Sequence, residues 1–201
     1  EKIRATGLPF WLAGGFATPE KLKFEISQGA IGVQVGSIFA LCHESGITNE
    51  LRQQVLTQLA SKTLKIVTDP LGSPTSFPFK YAELDETISD HDEFESRVKL
   101  CDLGYLRTVV ERPNNRIVYR CSAEPVKTFS FKGGGEGATM GKKCLCNALF
   151  SNIGMPQVRS TGYRESPLIT LGSDLAGEEQ LLAMYPEGWS AVQAVNYLLT
   201  R

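Results

Sequence analysis

The sequence predicts an α/β protein with a regular beginning and an irregular remainder. Two short apolar runs, residues 8–13 and 30–35, are each followed by glycines and then by a helical pattern. Two successive strand-loop-helix units predict a parallel sheet, because each connection must return the chain to the starting edge. After residue 62 this alternation stops, and prolines, glycines and acidic residues separate shorter patterns.

The first unit starts with residues 8–13 (LPFWLA), a run too short for an ordinary helix and bounded by glycine on both sides. Gly14 and Gly15 follow it directly. Thr18 and Pro19 then fit a helix N-cap with proline at the first helical position. The sequence therefore predicts a strand, a double-glycine loop and a helix that begins at Pro19.

The second unit repeats this order about twenty residues later. Residues 30–35 (AIGVQV) are a second predicted buried strand, which ends at Gly36 and Ser37. Residues 48–59 form a predicted capped helix with apolar residues at helical spacing. Residues 1–62 are therefore expected to form one part of the protein, made of two strand-helix units.

The second part, residues 63–201, is predicted to be an irregular, α-rich extension packed on the first. Its predicted elements are strands at 63–67 and 117–121, an extended proline-rich segment at 69–79, an acidic loop at 83–95, a glycine-rich stretch at 132–141, and helices at 141–153, 174–184 and 190–199. The segment 69–79 has two interpretations: a lid over a ligand, or a plug in which Phe77 and Phe79 fill the side of the domain.

Charge and composition exclude several function classes. The 21 Lys and Arg against 22 Asp and Glu provide no basic field for a nucleic-acid partner. No apolar run approaches the roughly 20 residues that span a bilayer, so no membrane role is predicted. Five cysteines, an odd number, without a signal peptide predict a reducing, cytoplasmic location. The expected partner is a small-molecule substrate, and a homo-oligomer remains open.

The two glycine-marked strand ends predict a phosphate site. A strand end followed by glycines and a helix leaves backbone N–H groups directed at one place, with no Cβ atoms in the way. In (β/α)₈ barrels such sites recur in the loops after strands seven and eight. Either glycine site taken alone is also consistent with an ordinary tight turn.

Residues 12–46 resemble the last two strand-helix units of the FMN-dependent nitronate monooxygenases, formerly called 2-nitropropane dioxygenases. The family's A-G-G-I loop is matched by Ala13, Gly14 and Gly15. Its segment G-A-D-G-V-Q-[ML]-G-[TS]-x-F is matched at Gly32, Val33, Gln34, Gly36, Ser37 and Phe39, with Ile31 in place of the usual Asp. Residues 68–80 and 142–156 further resemble a subgroup close to the flavin enoyl reductases of polyketide and polyunsaturated fatty-acid synthases.

This resemblance implies the C-terminal portion of a TIM (β/α)₈ barrel that binds FMN. The residues it implies for the flavin phosphate are Ala13, Gly14, Gly15, Gln34, Val35, Gly36 and Ser37. The implied reaction converts a nitronate and O₂ into a carbonyl compound and nitrite. An enoyl reductase that acts on carrier-bound thioesters is the alternative within flavin enzymes.

The resemblance places the catalytic histidine on an earlier strand of the barrel, so no catalytic residue is assigned within this chain. Because the chain starts without methionine, in a pattern typical of a helix end, we expect it to be part of a longer polypeptide. His43 and His91 are expected at the surface or at helix caps.

Two hypotheses from other classes remain open. The glycine loops also suit a barrel that binds a phosphorylated ligand without redox chemistry. Four thiols of the irregular region, Cys101, Cys121, Cys144 and Cys146, suit a zinc interaction module, although their spacing lacks the usual C-x₂-C pair. Buried reduced cysteines are the alternative, so the metal assignment is open. The stretch FKGGGEGATMGKK fails the P-loop pattern and is predicted to be a flexible surface loop.

Overall fold

The computed structural model describes residues 2–200. The protein is mixed α/β, and its residues form two compact units, Glu1–Leu64 with Leu171–Arg201, and Lys65–Thr170. The first boundary lies close to the expected one at residue 62. The segment that begins at Leu171, which the sequence assigned to the extension, belongs instead with the first unit.

The described part of the chain forms six short strands, eight α-helices and two 3-10 helices. In chain order they are a 3-10 helix at Arg4–Thr6, β1 Trp11–Ala13, α1 Pro19–Ser27, β2 Gly32–Gln34, α2 Ser37–Ala40, α3 Asn49–Ala60, β3 Ile66–Asp69, β4 Phe79–Ala82, α4 His91–Ser96, β5 Thr108–Glu111, β6 Ile117–Arg120, α5 Val126–Phe131, a second 3-10 helix at Glu136–Thr139, α6 Leu145–Ser151, α7 Ala176–Met184 and α8 Ala191–Leu198.

The sheet of the first unit contains β1 and β2, which pair in parallel as the sequence predicted. Trp11 lies opposite Gly32 and Ala13 opposite Gln34. Both strands are shorter than their apolar runs. The strands assigned in residues 2–200 form three two-stranded sheets, and a closed barrel is not among them. The helix α1 begins as predicted, and the Thr18 hydroxyl accepts a hydrogen bond from the Lys21 amide.

The core of the first unit joins its early helices to the returning segment. Ile38, Leu41, Val55 and Leu181 are fully buried, and so is Trp189. The indole of Trp189 donates a 2.8 Å hydrogen bond to the Ile38 carbonyl. Truncation of a buried Trp to Ala typically costs about 3–5 kcal/mol. The Trp189 side chain is therefore expected to stabilise this unit substantially, and its hydrogen bond joins α2 to the returning segment.

The second unit contains two antiparallel hairpins, β3–β4 and β5–β6. Its apolar core contains Tyr81, Ile88, Phe94, Leu145 and Leu168. Phe79 packs against this cluster while Phe77 is exposed, so one of the two phenylalanines acts as the expected plug. The acidic stretch predicted as a loop contains the helix α4.

A buried polar network lies beside that core. The Nε and Nη2 atoms of Arg97 donate to the Glu165 carboxylate, at 2.7 and 2.9 Å, and both side chains are almost completely buried. Asn147 and Arg159 donate to the same carboxylate at 3.0 and 2.8 Å. Arg159 also binds Asp102 with two hydrogen bonds. Hydrogen bonds to every charge offset the cost of their burial.

Among residues 2–200, no helix has the length and apolar character needed to cross a membrane.

Candidate functional site

The two glycine-marked loops lie at the same edge of the first sheet. Because β1 and β2 are parallel with Ala13 opposite Gln34, the segments that follow them leave the sheet side by side. Gly14 and Gly15 have φ values of +93° and +83°, a backbone conformation that favours glycine. The structure therefore brings together both predicted phosphate loops, with Val35, Gly36 and Ser37 following β2.

Open space surrounds two of the glycines. A Cβ atom added at Gly14 or at Gly36 would meet no atom within 4 Å. Gly36 has φ −117° and ψ −61°, values that other residues also adopt. At Gly15 a Cβ would stand 2.9 Å from the Asp174 carboxylate. A ligand therefore has room to approach the backbone at Gly14 and Gly36, while Gly15 faces protein.

The short helix α2 begins directly after Gly36. Its hydrogen bonds start with the Phe39 and Ala40 amides, which both donate to the Gly36 carbonyl. The amides of Ser37 and Ile38 precede these bonds, and the first amides of a helix have no partner within it. Such amides attract an anion through their partial positive charge.

A third segment, which the sequence analysis missed, enters the site from the returning part of the chain. The Gly172 amide donates a 2.7 Å hydrogen bond to the Ser37 hydroxyl. The Lys21 ammonium donates to the Gly15 carbonyl at 2.7 Å and to the Asp174 carboxylate. No local pattern signals these contacts, because Asp174 lies 153 residues after Lys21.

The start of α7 packs directly on the loop after β1. A Cβ at Gly177 would stand 2.0 Å from the Ala17 carbonyl oxygen, so only glycine allows this approach. The next residue, Glu178, is almost fully buried, and its Oε2 atom has no hydrogen-bond partner. Burial raises the pKa of Glu178 to about 7, and the nearby Asp174 charge adds to that rise.

The charges near the loops do not form a strongly positive site. The hydrogen bond from Lys21 lowers the pKa of Asp174, which keeps that carboxyl ionised. Lys21 is already shared between Asp174 and the Gly15 carbonyl. An anion bound here would therefore depend mainly on backbone amides, and Lys21 is a cation that is bonded to the first loop.

The predicted cysteine group has the properties of buried thiols. Cys121 and Cys144 pack with Ala123 in a small apolar cluster, and burial raises the pKa of both thiols, that of Cys144 to about 11. Cys101 and Cys146 are half-buried. In the described part of the chain, no three His, Cys, Asp or Glu residues are grouped so as to hold a metal ion. The arrangement of these residues therefore gives the zinc hypothesis no support.

The two histidines, His43 and His91, lie at the surface of the protein. A Cβ atom added at Gly188 would stand 2.9 Å from Cε1 of the exposed His43 ring. His91 is the exposed first residue of α4.

The chain matches no protein-family model, no curated protein and no solved structure.

Proposed function

We propose that this chain carries the FMN-phosphate site of a flavin-dependent oxidoreductase of the nitronate monooxygenase class. The observation that supports it is the pair of glycine loops at one edge of a parallel sheet, in the register that the β1–β2 pairing imposes. The motifs at Ala13–Gly15 and Gln34–Ser37, which resemble that family, are the residues that form these two loops.

The residues present fit the phosphate half of FMN. Gly14 and Gly36 have no Cβ atom, and the space that a Cβ atom would occupy is open. A phosphate oxygen could therefore approach the backbone at both positions. The short helix after Gly36 offers its first amides, at a position where barrels with a phosphate site have an additional short helix. Ser37, held by the Gly172 amide, keeps this turn in place.

The exposed sheet supports the barrel part of the proposal. Parallel sheets are normally covered on both faces and paired on both sides. Here Trp11, which is on β1, is 60% exposed, and Ile31, the residue before β2, is 57% exposed. We propose that β1 and β2 are the seventh and eighth strands of a (β/α)₈ barrel, whose other strands cover these side chains.

FMN, when bound, would supply the electron-transfer chemistry of the reaction. The residues of this chain would bind the FMN phosphate and thereby orient the cofactor. The loop amides would hold the phosphate, while Lys21 fixes the Gly15 carbonyl and Trp189 fixes α2 through the Ile38 carbonyl. The catalytic base and the substrate pocket are assigned to other parts of the barrel.

The test compares FMN with riboflavin, which has the same ring system but no phosphate. The purified protein should bind FMN at least about tenfold more tightly than riboflavin, a difference of roughly 1.4 kcal/mol. Gly36→Ala places a methyl group in the open space and should remove most of that difference. The matched control is Gly135→Ala, because a Cβ there also meets no atom within 4 Å and φ is −81°.

Equal affinity for FMN in Gly36→Ala and in Gly135→Ala would refute the phosphate site. Gly15→Val is a poorer probe, since its Cβ meets Asp174 and its φ is positive, so the backbone is strained without any ligand. For the reaction, assayed on the full-length protein that contains the other proposed barrel strands, nitronate-dependent O₂ consumption with nitrite release supports the proposed class. NADPH-dependent reduction of an enoyl thioester without that activity would favour the enoyl reductase alternative.

A further inference from the structure

A groove in the second unit is formed by residues that the flavin proposal does not use. Its volume is about 500 Å³, within the range of roughly 300–1,000 Å³ that is typical of small-molecule sites. Its lining residues come from the proline-rich segment, the β5–β6 hairpin, α5 and the glycine-rich stretch.

The glycine-rich stretch forms one wall of this groove, where the sequence predicted a flexible surface loop. Gly134 lies so close to Phe129 that a Cβ there would stand 2.2 Å from a ring carbon. Gly137 and Ala138, in the second 3-10 helix, line the groove directly. Because a side chain larger than glycine at Gly134 would displace the Phe129 ring, Gly134 allows the close packing of this wall on Phe129.

The apolar part of the groove is partly open to solvent. Phe129 is buried, while Leu71 and Met140 are 60% and 72% exposed. All three side chains line the same groove. Large apolar groups that remain exposed around one concave surface are typical of binding sites.

Two cations lie in the same lining. The Lys142 ammonium donates a 2.9 Å hydrogen bond to the Ser73 carbonyl. Arg120 donates to the Lys132 carbonyl at 3.4 Å, and its guanidinium carbon lies 5.2 Å from the centre of the Phe129 ring. Between residues 2 and 200, neither cation forms an ion pair with a carboxylate. Both therefore keep donors for an anionic group.

The surrounding sequence strengthens this positive charge. Residues 105–143 contain eight Lys and Arg against three Asp and Glu. Glu124 and Lys132 are paired with each other, and Lys143 is buried against the Phe94 ring, so six cations and two acids are left. Glu136 is exposed and lies within this wall, next to the lining residue Gly137.

We propose that this groove binds an anionic amphiphile, a molecule with one carboxylate or phosphate group and an apolar part. The apolar part would lie on Phe129, Leu71 and Met140, and the acid group would accept hydrogen bonds from Arg120 and Lys142. Charge-assisted bonds of this kind are stronger than neutral ones, which favours an anion over a neutral analogue. The groove is lined by other residues than the proposed flavin site, and this proposal does not depend on the flavin proposal.

The experiment titrates the whole 201-residue chain with decanoate, decanol and inorganic phosphate, with amide NMR shifts as the readout. Decanoate should shift the amides of the groove residues and bind about tenfold more tightly than either of the other two probes. Lys142→Gln should weaken decanoate binding by about three- to tenfold, and Lys142→Arg should restore most of it. Glu136→Gln should tighten it slightly.

The matched control is Lys127→Gln, which removes an equal charge from an exposed position of α5 outside the groove lining. Equal decanoate affinity in Lys142→Gln and Lys127→Gln overturns the proposal. Decanol that binds as tightly as decanoate also overturns it, because the cations would then contribute nothing. Phosphate that binds as tightly as decanoate overturns it too, because the apolar side chains would then contribute nothing. Shifts confined to residues outside the groove overturn it as well. Far-UV circular dichroism confirms that each variant is folded.

Discussion

The buried carboxyl of Glu178 makes the stability of the first unit depend on pH. Its folded-state pKa is about 7, against an ordinary value of 4.5, with burial as the main cause. The folded chain therefore holds this proton more tightly than the unfolded chain does. Stability falls as the pH rises from about 4.5 to about 7, and the loss is complete above that range.

The size of the effect follows from the two pKa values. One pKa unit corresponds to about 1.36 kcal/mol, so the difference between 4.5 and about 7 amounts to at most roughly 3 kcal/mol. Glu178→Gln imitates the protonated acid and removes this dependence. At pH 8 the variant should be more stable by up to about 3 kcal/mol, or melt about 6–12 °C higher, while at pH 4.5 the two proteins should be equal.

Urea unfolding from pH 4.5 to 8 measures this dependence. The matched control is Glu179→Gln, because the neighbouring carboxyl is exposed and its loss should change stability by no more than about 0.5 kcal/mol. If the wild type and Glu178→Gln show the same pH slope, the buried carboxyl is not the cause. If Glu178→Gln is the less stable protein at pH 8, the sign of the argument is wrong.

Two further predictions concern the other charged groups. Glu165→Gln leaves Arg97 buried without its carboxylate, so the free energy of unfolding, measured in urea, should fall by about 3–5 kcal/mol; a loss below about 1 kcal/mol would show that the network contributes little. Asp174→Asn frees Lys21 for an incoming phosphate, so a fluorescence titration should show FMN binding tightened about two- to fivefold. Weaker FMN binding in that variant would mean that Asp174 holds the loop in its binding form.

The sequence predicts the start of a helix well where a local chemical signal marks it. The helix α1 begins where Thr18 and Pro19 place it, and α8 begins at a capping box formed by Ser190 and Gln193. The acidic stretch was predicted as a loop, but Asp90 accepts hydrogen bonds from two amides and starts α4 there. Acidic residues in the first turn of a helix are favourable, so their density was a helix signal.

Contacts that join distant parts of the chain could not be predicted in this way. The glycines and the parallel order of β1 and β2 were visible in the sequence because each depends on neighbouring residues. The bonds from Gly172 to Ser37 and from Lys21 to Asp174 depend on how the chain returns after residue 170. The periodicity of a single sequence predicts local helices and strands, and it does not predict which distant segments come into contact.

The order of folding follows from the way the chain divides. The second unit is one continuous stretch, Lys65–Thr170, so all its residues have been made before those of the returning segment. The first unit needs Trp189 in its core and therefore stays incomplete during synthesis until that residue has emerged. Its loop closure spans more than a hundred residues, and contacts of such separation form slowly. On the ribosome, the second unit is thus expected to fold first, while the glycine loops are completed only after the segment that begins at Leu171 has been made.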